Sequence, residues 1–176
     1  MLRVLHCIYD DPGNPWVGGG GAARVRDMYR CLSDRLDVTV ATGSWPGARP
    51  LELDGVRYIR IGEAEPYAWS RLTYARAATR LLAREPYDVG VIDFSAYAPV
   101  ILPSERPVGV NVNHLTGPTA RARWGALLGA AIGLEERMLL RRARVVSVIS
   151  EWTHATLGGV VSPEARVMMV GCGVPD

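Results

Sequence analysis

Four consecutive glycines, Gly18 to Gly21, run straight into an amphipathic helix, and this junction constrains the fold more than any other stretch of the chain. The helix is read from Ala22 to Leu36, with Val25, Met28, Tyr29, Leu32 and Leu36 at helical spacing, so that one stripe faces a core. Leu2 to Tyr9 reads as a short buried strand before it, and the β-branched run Val38 to Thr42 as a second strand after it. Strand, helix and strand joined this closely make a βαβ unit, which calls for a parallel sheet. The glycines can take positive φ and bare the backbone to a ligand, and the helix N-terminus behind them attracts anions. A plain flexible surface loop is the competing reading of the same run.

The unit repeats in kind along the chain. Val56 to Ile61, Asp88 to Ile92, Val108 to Val112, Val145 to Ile149 and Ala165 to Val170 read as further strands. Between them, Ser70 to Arg84 is helical, with Arg76, Arg80 and Arg84 on one face and Leu72, Ala75, Thr79 and Leu82 on another. A long, broken helix runs from Arg121 to Arg144, and Ser150 caps a short one from Glu151 to Leu157. Residues 43–50 form a turn-rich connector, and residues 62–70 an irregular loop. The alternation predicts an α/β fold: a Rossmann-like three-layer sandwich with a mostly parallel sheet of about seven strands, covered on both sides. Its 176 residues suit one domain, 1–176, with no internal repeat. The closing segment VGCGVPD leaves the last strand without a capping helix, as at a domain boundary.

Composition removes several function classes. All 20 basic residues are arginine, so Schiff-base lysines and P-loop cations are absent. A net charge of +2 is too small to predict nucleic acid as a partner. Cys7, Cys31 and Cys172 are scattered, which points to free thiols in a reducing cytoplasm and to no zinc site. The N-terminus turns acidic too soon for a secretory signal, and the apolar run from Trp124 to Leu134 is shorter than the ~20 residues of a membrane span.

In open α/β sheets ligands sit beyond the carboxyl ends of the strands, where strand order reverses. That edge would gather the glycines, Asp93 to Tyr97, Asn113 to Gly117, and Ser150 with Glu151. Gly18, Gly20 and Ala23 match GxGxxA, but residues 10–17 separate them from the first strand and no acid ends the second, so a dinucleotide site is disfavoured. His114, at a strand end, suits a ligand hydrogen bond or proton transfer, or else caps local backbone. His6 reads as a core histidine and His154 as solvent-facing. Asp93 either accepts hydrogen bonds from sugar hydroxyls or caps its strand, and Glu151 either does the same or stabilises its helix N-terminus. Asp10 and Asp11 read as a solvated loop rather than a metal pair. In RARWGALLGAAIGLEERMLLRRAR, arginines bracket an apolar middle, which suits either sheet packing, the favoured reading, or a helix lying on anionic lipid.

Four segments in this order, GGGGAARVRDMYRCL, DFSAYAP, NVNHLTG and LEERMLLRRARVVSVISEWT, resemble the N-terminal half of family 4 glycosyltransferases, whose GT-B fold pairs two Rossmann-like domains. The resemblance implies retaining transfer of a sugar from a nucleotide-sugar donor, with no other cofactor. It implies that Gly18, Gly19, Gly20 and Gly21 approach the donor diphosphate and that His114 contacts the transferred sugar. Asp10, Asp93, Tyr97, Thr116, Arg121 and Glu151 become candidates for the acceptor, which in this family can be a sugar, a lipid-linked molecule or a natural product. Peripheral contact of a cytoplasmic enzyme with a membrane follows as an option. No two glutamates stand eight apart as in the family's E-x7-E, and the nucleotide-binding second domain has no counterpart here. The chain alone is therefore expected to be inactive, an excised domain or half of a split enzyme, with a non-catalytic binding module as the alternative.

Overall fold

A computed structural model describes residues 1–95 and 98–171; Tyr97, and the last five residues of VGCGVPD from Cys172 on, lie outside them. β1 (Leu2–Cys7), β2 (Leu36–Gly43), β4 (Val56–Ile61), β5 (Val89–Asp93), β6 (Val108–Val112), β7 (Val145–Val148) and β8 (Arg166–Met169) are the seven expected strands. An eighth, β3 (Leu51–Leu53), pairs antiparallel with β4, from Leu51 opposite Tyr58 to Leu53 opposite Val56. The sheet order is β3-β4-β2-β1-β5-β6-β7-β8, and every other pairing is parallel. Strand order reverses between β1 and β5, which places a crevice at their carboxyl ends.

The helices are α1 (Gly20–Arg30), α2 (Tyr67–Arg84), α3 (Gly117–Trp124), α4 (Ala126–Arg142) and α5 (Glu151–Thr156). α1 is shorter than its apolar spacing predicts. The chain tightens after Arg30, where Leu32 N–H bonds Tyr29 C=O and Arg35 N–H bonds Leu32 C=O, each at 3.0 Å, and Ser33 Oγ caps Arg30 C=O. Leu36 is thereby released to start β2, in register with Leu2 of β1. The long arginine-flanked helix breaks at Gly125, whose φ of +83° only glycine adopts without strain. α3 and α4 then cross closely: a Cβ at Gly129 would stand 2.5 Å from the Arg121 backbone.

The two sheet faces are covered unequally. Tyr74, Ala75, Ala78 and Leu82 of α2, with Leu139 and Leu140 of α4, pack on Cys7, Ile92, Val110, Val146 and Val148. On the opposite face Val25 and Tyr29 of α1 cover Val4, Val38, Val40, Val56 and Tyr58. The fold is thus the expected α/β, Rossmann-like arrangement with helices on both faces, but the α1 layer stops short. Val89, Val91, Gly109, Val145, Ser147 and Met168 of β5 to β8 stay half-buried along a wide groove. Cys7 lies in the core, where burial pushes its thiol up to about 12, while Cys31 is exposed. Among the described residues no helix is long and apolar enough to cross a membrane.

Candidate active site

The glycine run is only half loop. Gly19 is the N-cap of α1 and Gly20 and Gly21 form its first turn; none of the four takes positive φ. Their contribution is the missing Cβ rather than a left-handed backbone. A Cβ at Gly21 would lie 3.3 Å from Asp10 Oδ2 and 3.4 Å from Ile8 Cδ1, whereas one at Gly20 would meet nothing within 4 Å. The N-cap makes no side-chain hydrogen bond, so the amides of Gly20 and Gly21 at the head of this helix have no capping side chain, the arrangement that favours an anion.

Beneath these amides a buried polar network ties α1 to β1 and β5. His6, 1% exposed, donates from Nε2 to Asp93 Oδ1 at 3.1 Å and has Tyr29 Oη at 2.9 Å from Nδ1. In the neutral ring this puts the proton on Nε2 and lets Nδ1 accept the tyrosine hydroxyl. Arg24 donates to Asp93 Oδ2 at 2.5 Å. Burial alone would raise the Asp93 carboxyl, but the hydrogen bond from His6 and the Arg24 guanidinium outweigh it and hold it below the ordinary carboxylate range. Asp93 is therefore consumed by protein partners, with His6 the core histidine expected of it.

Asp10 and Asp11 part company. Asp11 is no solvated loop residue: it is fully buried and pairs with Arg60. Asp10 stays half-buried beside the glycines and makes no hydrogen bond among the described residues. Burial raises its carboxyl above the usual range, Arg71 pulls against that, and Asp93 adds to it. Arg71 itself bonds Tyr67 Oη at 2.8 Å and Ser95 Oγ at 3.0 Å.

His114 is exposed and lines one groove with Asp10, Gly20, Gly21, Arg24, Asp93 and Asn113. Below it, Asn111 bonds Asn113 Oδ1 at 3.1 Å and accepts from Ser147 Oγ at 2.9 Å, which fixes the strand ends. Thr116 is the N-cap of α3 and works through its backbone: Glu136 of α4 accepts from Thr116 N–H at 3.0 Å and Gly117 N–H at 2.8 Å. Burial pushes the Glu136 carboxyl up, against those two amides and nearby His114. Arg121 is exposed and lines a different cleft with Gly117, Gly129 and Glu136. Glu151 is exposed in the first turn of α5, whose N-cap is Ser150, and lines neither; His154 is exposed as expected. The geometry thus unites Gly20, Gly21, Asp10, Asp93 and His114 in one groove, and leaves Gly18, Gly19, Thr116, Arg121 and Glu151 off its lining.

Three contributors were not singled out from sequence. Glu136 carried a signal, since it falls on the buried phase of α4 with Ile132, Leu139 and Leu140. Arg24 and Arg71 carried none, because an arginine flanking an apolar stripe reads as a solvated face. Among the described residues no cluster of three His, Cys, Asp or Glu could hold a metal.

No curated protein matches this sequence. A solved sucrose-phosphate synthase from Thermosynechococcus elongatus superimposes with a TM-score of 0.72 at 15% identity over 99% of this chain. The match covers 49% of that structure, so the chain spans about half its length. A second structure of that synthase gives 0.62 at 14% identity, covering 97% of this chain and 89% of the other. At such identity the likeness is one of fold. A family model matches residues 19–173, from the glycine run through the last strand, and by that match the chain belongs to the glycosyl transferase 4-like domain family.

Proposed function

We propose that this chain is the acceptor-binding half of a glycosyltransferase that moves a sugar, with retention, from a nucleotide-sugar to an acceptor. A second, nucleotide-binding domain completes the site, and the chain alone is inactive. The observation that carries the reading is the uncapped α1 N-terminus, built of glycines and sharing one groove with exposed His114 and half-buried Asp10. Gly20 and Gly21 offer amides to the donor diphosphate, His114 contacts the transferred sugar, and Asp10 accepts a hydrogen bond from the acceptor. Asp93 acts one step back, by aiming Arg24 and His6. Thr116 holds the loop that presents His114.

The test uses the enzyme with its second domain in place and measures sugar transfer. His114→Ala is expected to lower kcat/KM at least tenfold, on the order of what one transition-state contact supplies. Gly20→Val should raise the donor KM with the fold intact, because its side chain would project into open space. Activity unchanged in both variants would sink the assignment.

A second reading, contact with an anionic membrane surface, is favoured by one feature of α4. Leu127, Leu134 and Met138 are 90%, 60% and 53% exposed, and Arg137 and Arg141 flank them. Ile132, Leu139 and Leu140 of the same helix pack inward, so both uses of this segment coexist. Vesicles rich in phosphatidylglycerol should retain the chain in sedimentation, and Leu127→Glu with Leu134→Glu should release it. Equal retention on phosphatidylcholine vesicles would count against this reading.

A further inference from the structure

His114 lies on the turn that joins β6 to α3, and the head of α3 has no local cap. Thr116, its N-cap, makes no side-chain capping bond, and Pro118 in the first turn has no N–H to give. The amides of Thr116 and Gly117 are satisfied from α4 instead, by a residue 20 and 19 positions away in the chain. Glu136, 3% exposed, takes both on one oxygen, Oε2, at 3.0 and 2.8 Å. The reach is short because the two helices meet through glycines: a Cβ at Gly117 would lie 3.5 Å from Glu136 Oε2 and 3.6 Å from Gly133 Cα. A carboxylate on the first amides of a helix is charge-assisted and favoured by the helix dipole. α1 and α3 both begin beyond the carboxyl ends of strands, yet α3 carries its anion built in while α1 has no capping side chain.

The turn is held at its other end too. Thr153 of α5, 1% exposed, donates from Oγ1 to Asn113 C=O at 3.3 Å. Leu115, between the two anchors, is 5% exposed and packs in the core. The backbone is thus fixed on both sides of His114, the one exposed residue from Asn113 to Thr116.

We propose that Glu136 is a positioning residue: by clamping the head of α3 it fixes the backbone that carries His114, with Thr153 holding the opposite end of the turn. It touches no substrate and acts only through His114. This rests on the reading of His114 as a contact of the transferred sugar, and it adds the residue that sets the geometry of that contact. A helix cap with no bearing on the site would make the same two hydrogen bonds, so the test has to separate stability from turnover.

Sugar transfer is measured with the second domain in place. Glu136→Ala, which leaves both amides unpaired, is expected to lower kcat about tenfold, and Glu136→Gln, which keeps an acceptor without the charge, about threefold. The donor KM should stay within about twofold in both, since the head of α1 is untouched. In the His114→Ala background both effects should vanish, because a residue that acts through His114 has nothing left to position. Where Glu136→Ala does not fold, Glu136→Gln and Thr153→Val make the same comparison. Variants that lose thermal stability but keep kcat overturn the proposal, and so does an equal loss of kcat with and without His114. Amide NMR of the isotope-labelled chain keeps this proposal apart from the catalytic reading. Glu136→Gln is expected to shift and broaden the His114 amide signal, and an unchanged signal overturns the clamp even where His114→Ala abolishes transfer. If that signal moves while His114→Ala leaves transfer intact, the clamp stands and the role of His114 in transfer falls.

Discussion

Replacing Asp11 by alanine is expected to lower the stability of the domain by about 3–5 kcal/mol, the cost of leaving a buried charge without its partner. Asp11 and Arg60 have side chains only 1% and 7% exposed, and Arg60 Nη2 lies 3.0 Å from Asp11 Oδ2. The same carboxylate accepts Thr42 Oγ1 and Gly13 N–H, each at 2.8 Å. Its loss therefore strands a guanidinium, a hydroxyl and an amide at once. Arg60 has little room to escape, since its guanidinium lies over the Trp45 and Tyr58 rings at 5.3 and 5.6 Å and also bonds Arg49 C=O. Urea denaturation gives the number directly. Removing both charges, as in Asp11→Ala with Arg60→Met, should recover part of the loss, because an apolar replacement of an ion pair leaves nothing unpaired. A loss below about 1 kcal/mol for Asp11→Ala would mean that the pair is solvated after all.

Asp93→Ala is expected to cost about 3 kcal/mol for the same reason, since it deprives both His6 and Arg24 of their acceptor. Its pH signature is distinct. The folded carboxyl is held below its unfolded value, so its contribution is fully present above the ordinary carboxylate range and is lost as pH falls through the depressed value, below about 4. Glu136 works in the opposite sense: its folded carboxyl is raised, so acid protonates the folded state first and returns some stability. The wild-type urea midpoint should fall steeply below pH 4, and that of Asp93→Asn should fall less. Parallel curves would assign the acid sensitivity elsewhere.

How far the sequence could be read depended on the distance over which each feature is decided. β6 was read to the residue, because Val108, Val110 and Val112 alternate with the period of a strand directly after the breaker Pro107. β3 was missed, since Leu51 to Leu53 is too short to show alternation and exists only through its pairing with β4. The irregular loop over residues 62–70 gives way to α2 at Tyr67, after Pro66 at the N-cap, because the helix starts three residues earlier than its apolar spacing suggests. His114 and the glycines were legible because they end a strand and begin a helix. Asp11 was misjudged because what makes it a core residue, Arg60, lies 49 residues away, a separation that no local pattern records.

The uncapped first turn of α1 also bears on which substitutions the site tolerates. A surface made of main-chain amides stays the same whatever side chains surround it, so most substitutions nearby leave it whole. Only the glycine positions are exposed to mutation. At Gly21 a side chain would crowd Asp10 and Ile8, already 3.3 and 3.4 Å from where a Cβ would sit, whereas at Gly20 it would project into open space before the amides.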